Sequence, residues 1–151
     1  MTPYFDNAST PWTELGDGIR RKIVGHTPEL MSVLVQFDKG AIGTPHAHDA
    51  HDQIAFVIAG SFEAEVAGIK RVLRVGDAFI APRLHQHGVI ALEAGSVLLD
   101  QFSPRREDYL SALARPSLDH HRPGPRPKDP DLKKQPETRQ CKRNNAGTNP
   151  G

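Results

Sequence analysis

The sequence lacks the features that mark several large classes of protein. Cys141 is the only cysteine among 151 residues, which excludes an intrachain disulfide and a cluster of thiolate metal ligands. No apolar run approaches the roughly 18 residues that a membrane-spanning helix requires. The opening stretch "MTPYFDNAST" lacks the charged and apolar segments of a secretory signal. We therefore expect a cytoplasmic protein that has no membrane partner.

An excess of charge of one sign is also lacking. The chain has 19 basic and 18 acidic residues, a formal net charge of +1, which gives no electrostatic reason to expect a nucleic-acid partner. The balance is uneven along the chain, because residues 1–115 hold 11 of the basic and 14 of the acidic residues. Residues 116–151 therefore carry an excess of four positive charges.

Residues 116–151 have few large apolar side chains. They contain seven of the chain's 13 prolines, and such a segment cannot bury enough surface to offset the entropy lost on ordering. We predict a Pro-rich, basic, disordered tail that follows a single domain over residues 1–115. His120 and His121 fall in this tail and are therefore discounted as metal ligands.

The predicted domain is a series of short alternating segments separated by glycine and proline. In "SFEAEVAG", for example, Phe62 and Ala64 alternate with Glu63 and Glu65, the pattern of a half-buried antiparallel strand. Turn residues recur along the domain as they do in sandwiches and small barrels. Eight strands are predicted, over residues 18–25, 30–37, 53–60, 61–68, 70–76, 77–82, 87–92 and 96–102. The sequence therefore predicts an all-β sandwich or barrel with room inside for one small ligand.

One segment, "SPRREDYLSALA", predicts a helix instead. Ser103 can cap its first turn, and Pro104 suits the first helical position. Leu110 and Leu113 supply an apolar stripe along one face.

The stretch "GTPHAHDAHDQ" concentrates imidazoles in this domain. On a strand, side chains two positions apart share a face, so His46 and His48 can point into the barrel together and chelate one ion. His85 and His87, in "APRLHQHGV", have the same spacing and could supply a third nitrogen. Two such pairs in one small barrel favour a metal site over exposed, idle histidines.

The spacing of these residues resembles that of the cupins. Gly40-x5-His46-x-His48-x4-Gln53-x6-Gly60 follows the first cupin motif, with Gln53 where most members have Glu. Gly76-x5-Pro82-x4-His87 follows the second motif, which departs at Leu84, usually Gly, and at Ala91, usually Asn. The resemblance implies a small jelly-roll barrel, also called a double-stranded β-helix.

The cupin resemblance also implies a metal site. Its ligands would be His46, His48, Gln53 and His87, which would hold one divalent ion per chain, either Ni, Zn, Mn or Fe. His51 and His85 match no ligand position in the motifs, which implies roles beside the site or at its rim.

A more specific resemblance runs from about Thr10 to Leu113. "TPWTELGDGIRRKIVGHTPELMSVLVQFDKGA", the histidine stretch and "LLDQFSPRREDYL" are similar to the KdgF-type cupins, which linearise unsaturated uronate sugars in pectin and alginate breakdown. The resemblance implies that Asp100 and Arg106 form the catalytic pair and that Phe102 lines the substrate pocket. Arg106 would also clamp the sugar carboxylate, with Arg83 at the pocket mouth as a further contact.

The neutral ligand set has a chemical consequence. Three imidazoles and an amide leave a divalent ion with its full charge, which favours a Lewis acid acting on an oxygen-rich anion. Drift from Glu to the isosteric Gln is the alternative explanation of Gln53. Two other functions stay open, a ferrous-iron dioxygenase and a non-enzymatic sugar-binding or regulatory cupin. The sequence also leaves open a homodimer and the pectic or alginate origin of the sugar.

Overall fold

The computed structural model describes residues 2–113, which form ten β-strands and one short helix. In chain order these elements are β1 (Thr13–Gly16), β2 (Ile19–Thr27), β3 (Leu30–Phe37), β4 (Ile42–His46), β5 (Asp52–Ala59), β6 (Ser61–Val66), β7 (Ile69–Arg74), β8 (Ala78–Ala81), β9 (His87–Ala91), β10 (Ser96–Ser103) and α1 (Glu107–Leu113). Within this part of the chain, no helix has the length and apolar character needed to cross a membrane. The predicted tail and its two histidines lie outside the described residues.

The strands form two antiparallel sheets that enclose the core. One sheet has the order β1-β2-β3-β10-β5-β8, and the other has the order β4-β9-β6-β7. Alternate side chains of β3 point inward and are buried, from Met31 to Phe37. Phe37 meets Phe62 of the opposite sheet edge to face, with ring centroids 5.2 Å apart. The predicted all-β barrel is therefore confirmed.

All eight predicted strands are present, with bounds that differ by up to two residues. Two further strands were not predicted. β1 is four residues long and mostly exposed, so it lacks the apolar alternation that reveals a strand. β4 contains Gly43 and Pro45, which is tolerated because β4 lies at the edge of its sheet.

The predicted start of the helix is wrong. Ser103 is the last residue of β10, and α1 begins at Glu107. The connection between them is held by its backbone, because the Pro104 carbonyl accepts a hydrogen bond from His51 (3.0 Å). Tyr109 and Leu110 pack against the core, whereas Leu113 is 60% exposed and does not extend the apolar stripe.

Gly60, the last residue of the first motif, carries the chain from one sheet to the other. Its φ is +69°, and a Cβ at this position would lie 2.8 Å from Ser96 Cα. No larger residue fits between β5 and β6 without moving β10, which explains the glycine.

The two sheets meet at one end of the barrel in a way that gathers polar side chains. His46 at the end of β4 is paired in register with His87 at the start of β9. Gln53, near the start of β5 in the other sheet, is paired with Phe102 of β10. Strand ends from both sheets therefore converge at this end.

Candidate functional site

Three imidazoles converge at this end of the barrel. One ring nitrogen from each of His46, His48 and His87 lies within 4.8 Å of the other two. The closest pair is His46 Nε2 and His48 Nε2, at 3.2 Å. His48 and His87 are buried, whereas His46 lies nearer the surface. This three-histidine cluster could hold a metal ion.

The prediction that the two histidines of each pair share one face of a strand is wrong. β4 ends at His46, so His48 lies in the loop that follows. That loop is held by the His48 carbonyl, which accepts a hydrogen bond from the Leu84 N–H (2.7 Å). His85 lies in a turn before β9 and is exposed. Loop geometry, not strand pleating, brings His48 to the cluster.

Backbone carbonyls orient two of the rings. His46 Nδ1 donates to the Thr44 carbonyl (2.8 Å), and His87 Nδ1 donates to the His85 carbonyl (3.0 Å). A carbonyl only accepts, so each Nδ1 carries the hydrogen and each neutral ring keeps its lone pair on Nε2. Such outer hydrogen bonds fix the tautomer that a metal-binding histidine needs.

The buried rings are also held in the neutral, ligating form. Burial, reinforced by the Arg106 charge, lowers the pKa of His48 to about 4. Burial lowers the pKa of His87 as well. Two neutral imidazoles are therefore available near pH 7 without the need to displace protons.

Gln53 completes the donor set from the opposite sheet. Its Oε1 lies 3.0 Å from Nε2 of His48 and 3.0 Å from Nε2 of His87. The second contact sets a lone pair of His87 against an amide oxygen, and two acceptors repel one another unless a cation lies between them. Three imidazole nitrogens and one amide oxygen form a donor set that suits a divalent transition metal. The four predicted ligands therefore fit such an ion.

Asp100 lies deeper in the barrel, on the inward face of β10. Its Oδ1 is buried and has no hydrogen-bond partner among the residues that the structure describes. Burial raises the pKa of Asp100 to about 7, although the Gln53 amide and the Arg106 charge act in the opposite direction. Asp100 lines a cavity of about 190 Å³ together with His46, Gln53 and His87. A proton-exchanging group therefore faces the same space as the histidine cluster.

Arg106 lies over two aromatic rings beside this cavity. Its Cζ is 5.3 Å from the Phe102 ring centroid and 4.2 Å from that of Tyr109. The guanidinium fork is occupied, because Nε donates to Asp108 Oδ1 (3.0 Å) and Nη2 donates to Asp108 Oδ2 (2.7 Å). The sequence did not reveal this partner, which leaves Arg106 only part of its hydrogen-bonding capacity for a substrate.

Phe102 is buried next to the cluster. Its ring makes T-shaped contacts with those of His48 and Tyr109, with centroids 5.7 Å and 5.9 Å apart. Phe102 therefore joins the histidine cluster to the residues around Arg106.

The remaining predicted residues lie around the site. His51 donates from Nδ1 to Pro104 and its ring meets His48 at 5.9 Å, so it ties the histidine loop to the end of β10. Arg83 is exposed, and its backbone N–H donates to Asp52 (3.0 Å). It does not line the cavity that contains Asp100, and its contact with a substrate stays a prediction.

Leu84 occupies a backbone conformation that favours glycine. The His85 N–H donates to the Pro82 carbonyl (3.1 Å), which closes a turn with Leu84 at its third position, and the φ of Leu84 is +67°. Type II turns require a positive φ at that position, which explains why the cupin motif has Gly there.

We therefore expect Leu84→Gly to stabilise the protein. Relief of the left-handed strain should outweigh the larger chain entropy of glycine by about 0.5–1 kcal/mol, a gain of roughly 2–4 °C in Tm. Leu84→Ala keeps the strained φ and serves as the control in thermal unfolding. A lower Tm for Leu84→Gly than for Leu84→Ala would contradict this account of the turn.

Two residues that the sequence did not single out, Arg21 and Tyr109, also line the cavity. A signal for Arg21 was present, since Ile19, Arg21 and Ile23 alternate and therefore share one face of β2. A charged residue within an inward apolar face indicates a specific role. Tyr109 gave no comparable signal, because one aromatic residue on a short helix is typical of packing.

Comparisons with known proteins agree with this fold. Residues 33–99 match the family described as Cupin domain, so the barrel is that of a cupin. The chain is 59% identical over 110 residues to the pectin degradation protein KdgF of Dickeya dadantii (strain 3937), a match that covers 73% of this chain and 100% of that relative. The chain belongs to the KdgF family of cupins.

Solved structures give the same result. KdgF from Halomonas sp. is 52% identical with a TM-score of 0.71, and the match covers 72% of this chain and 99% of that one. An RmlC-like cupin from Shewanella frigidimarina NCIMB 400 is 38% identical with a TM-score of 0.69, over 72% of this chain and 96% of that one. The family resemblance found in the sequence is therefore confirmed.

Proposed function

We propose that this protein opens the ring of 4,5-unsaturated uronate monosaccharides from pectin or alginate, to give the linear 5-keto-4-deoxyuronate. One observation carries the proposal: Asp100, a carboxylate with one buried oxygen that has no hydrogen-bond partner within residues 2–113, lines the same cavity as three members of the donor set. The description of the Dickeya dadantii relative as a pectin degradation protein supports a uronate substrate.

The reaction requires acid–base chemistry and no redox cofactor. The substrate has a C4=C5 double bond conjugated to its carboxylate. The anomeric hydroxyl loses its proton, the C1 carbonyl forms, and the C1–O5 bond breaks to leave an enolate on O5. Protonation at C4 then gives the C5 ketone. The product is therefore an isomer of the substrate.

We assign the metal site to His46, His48, Gln53 and His87, with one divalent ion per chain. The ion, when bound, would supply Lewis-acid stabilisation of the negative charge that develops on the sugar oxygens. The protein's own contribution is to hold these donors neutral and oriented, through burial and the two Nδ1–H hydrogen bonds to backbone carbonyls. The choice among Ni, Zn, Mn and Fe stays open.

Asp100 is the acid–base group of this mechanism. A carboxyl whose pKa is about 7 can accept and release a proton near neutral pH, which is the condition for efficient acid–base catalysis. Its Oδ1 is buried, which limits the access of bulk water to that oxygen. We assign to it the proton transfers at the anomeric hydroxyl and at C4.

Arg106 positions the sugar, and Phe102 packs beside this arginine at the edge of the histidine cluster. Asp108 holds the Arg106 guanidinium from one edge, so Arg106 contacts the sugar carboxylate through its remaining N–H groups and contributes positive charge beside Asp100. Phe102 is buried between His48 and Tyr109 and does not line the cavity that contains Asp100, so its contact with the sugar ring stays a prediction.

The neighbourhood of Asp100 also explains why position 53 has an amide. The Gln53 amide acts to lower the pKa of Asp100, as a donor to the carboxylate would, while its Oε1 faces His48 and His87. A glutamate would set a second negative charge against Asp100 and raise the pKa of both groups. It would also cancel one unit of charge on the ion. Gln53 thus supplies an oxygen to the donor set and also lowers the pKa of the acid–base group.

We therefore expect Gln53→Glu to keep its metal but to lose at least roughly tenfold in turnover, since one pKa unit corresponds to a tenfold change in the protonated fraction. Gln101→Glu, the same change at the neighbouring β10 position that faces away from the cavity, is the control. Initial rates and metal content on the same samples provide the test. Equal rates for Gln53→Glu and wild type would support simple drift from Glu instead.

The function itself is tested by the product. The full-length protein, loaded in turn with each of the four metals, is incubated with a 4,5-unsaturated uronate monomer, and the product is analysed by mass spectrometry and proton NMR. We expect an unchanged mass, loss of the vinyl H4 signal and a new C4 methylene. A product that has gained oxygen would indicate a dioxygenase, and binding without any product would indicate a sugar-binding protein. Either outcome would overturn the proposal.

A further inference from the structure

Arg21 places a guanidinium on the inner face of the barrel. It lies on β2 between Ile19 and Ile23, which pack against the core, and its register partner on β3 is the core residue Val35. Arg21 is half-buried and lines the cavity that Asp100 also lines. The strands that carry His46 and His87, β4 and β9, belong to the other sheet. The Arg21 charge therefore faces the proposed substrate space from the opposite wall of the barrel.

The Arg21 guanidinium has no hydrogen bond or ion pair within residues 2–113. Its neighbour Arg20 differs, because Arg20 Nε donates to Gln36 (2.8 Å) and Nη1 lies 3.9 Å from Glu14. Asp108 is near enough to feel the Arg21 charge, but its two oxygens are engaged by Arg106. A partly buried charge without a partner lowers the stability of the fold, so an anion that binds beside Arg21 would be stabilised.

Tyr109 links Arg21 to Arg106. The Tyr109 ring centroid lies 3.7 Å from Arg21 Cζ and 4.2 Å from Arg106 Cζ, so both guanidinium groups pack against the same ring. Such stacking fixes the plane of a guanidinium and leaves its N–H edge free to donate. Arg106 donates two of its N–H groups to Asp108, whereas the N–H groups of Arg21 have no such partner within residues 2–113.

We propose that Arg21 binds the carboxylate of the uronate substrate through its free guanidinium edge, and that Tyr109 positions it to do so. This inference rests on the proposed function, which it extends by naming a second arginine, besides Arg106, that binds the sugar carboxylate. A bidentate pair between a guanidinium and a carboxylate combines charge with orientation. It would also fix the C5 end of the sugar, where the enolate develops, relative to Asp100.

The first test is a KM comparison in the metal-loaded, full-length protein. Arg21→Gln should raise KM for the unsaturated uronate roughly 10- to 100-fold, as loss of a charged hydrogen bond does, with a smaller effect on kcat. Arg21→Lys, which keeps the charge but not the fork, should fall between Arg21→Gln and wild type. Arg20→Gln is the matched control and should leave KM within about twofold of wild type. An unchanged KM in Arg21→Gln would overturn the proposal.

The second test changes the ligand instead of the protein. The methyl ester of the same sugar lacks the carboxylate charge, so Arg21→Gln and wild type should have similar KM values for the ester. An equal loss on acid and ester would show that Arg21 acts through packing, which would also overturn the proposal.

A binding measurement separates this inference from the proposed function. If wild type turns over neither sugar, the ring-opening proposal fails, and the dissociation constant for saturated D-galacturonate then decides the role of Arg21. Weaker binding in Arg21→Gln and intermediate binding in Arg21→Lys would support Arg21 as a carboxylate-binding residue. Equal dissociation constants, or no binding by wild type, would overturn it.

Discussion

Turnover of the unsaturated uronate should fall by about 10²–10⁴ when Asp100 is replaced by Asn, the range typical of a lost acid–base group. Asn fills the same volume but cannot accept a proton. The donor set of three imidazoles and Gln53 is untouched, so we expect metal content to stay at the wild-type level. Rates at saturating substrate and elemental analysis of the same preparation measure the two effects together.

The Asp100 variant should fold at least as well as wild type. A buried carboxylate oxygen without a partner costs stability, and a neutral amide lowers that cost. Thermal unfolding therefore separates loss of chemistry from loss of fold. Asp38→Asn, the same change at an exposed position, is the control for both assays. A folded, metal-loaded Asp100→Asn with the wild-type rate would remove Asp100 from the mechanism.

Metal affinity should fall by at least about 100-fold in His87→Ala. Changes to groups that merely support a ligand already cost 10- to 100-fold, and His87 would supply a nitrogen to the ion itself. His85→Ala is the matched control, because His85 is exposed and contributes only its backbone carbonyl, which accepts from His87 (3.0 Å). Titration of the metal-free proteins with a divalent ion gives the two dissociation constants.

Three outcomes bear on the ligand assignment. Strong loss in His87→Ala and in His48→Ala, with little change in His85→Ala, would support it. Full metal content in both His48→Ala and His87→Ala would refute it. The reverse order for positions 85 and 87 would move the third imidazole two residues toward the N-terminus, against the buried position of His87.

Much of the fold was predictable because its strands carry the alternation of a two-sided sheet. β3 is a good example, since every second residue is buried. β1 and β4 were missed for a physical reason. Both are short edge strands, and an edge strand that packs few side chains on the core has no apolar pattern to reveal it.

The spacing of the motifs predicted the donor set, but it did not predict the backbone path that brings His48 to the other donors. His48 reaches the cluster through a loop that is fixed by its hydrogen bond from the Leu84 N–H, a contact between residues 36 positions apart in sequence. The partner of Arg106 could not be foreseen either. Whether Asp108 pairs with Arg106 or with solvent depends on where α1 begins, and the helix start predicted at Ser103 was wrong.

Some predictions concern features that the described residues do not include or that a single chain does not reveal. The boundary after residue 115 is one of them, and the homodimer and the cytoplasmic location are others. These stay predictions. The long-range contacts that matter for chemistry, such as the approach of Asp100 to Gln53, arise from the pairing of β10 with β5 in one sheet, which local sequence patterns do not encode.

The most direct test of ring opening is optical. The substrate's C4=C5 bond is conjugated to its carboxylate and the product has no such bond, so the metal-loaded protein should bleach the ultraviolet absorbance of unsaturated uronate monomers. An oxygen electrode in the same cuvette should record no oxygen consumption, since the reaction is an isomerisation. Bleaching at constant oxygen in wild type, reduced in Asp100→Asn, is the predicted result. Constant absorbance with bound sugar, or bleaching coupled to oxygen uptake, would contradict the account.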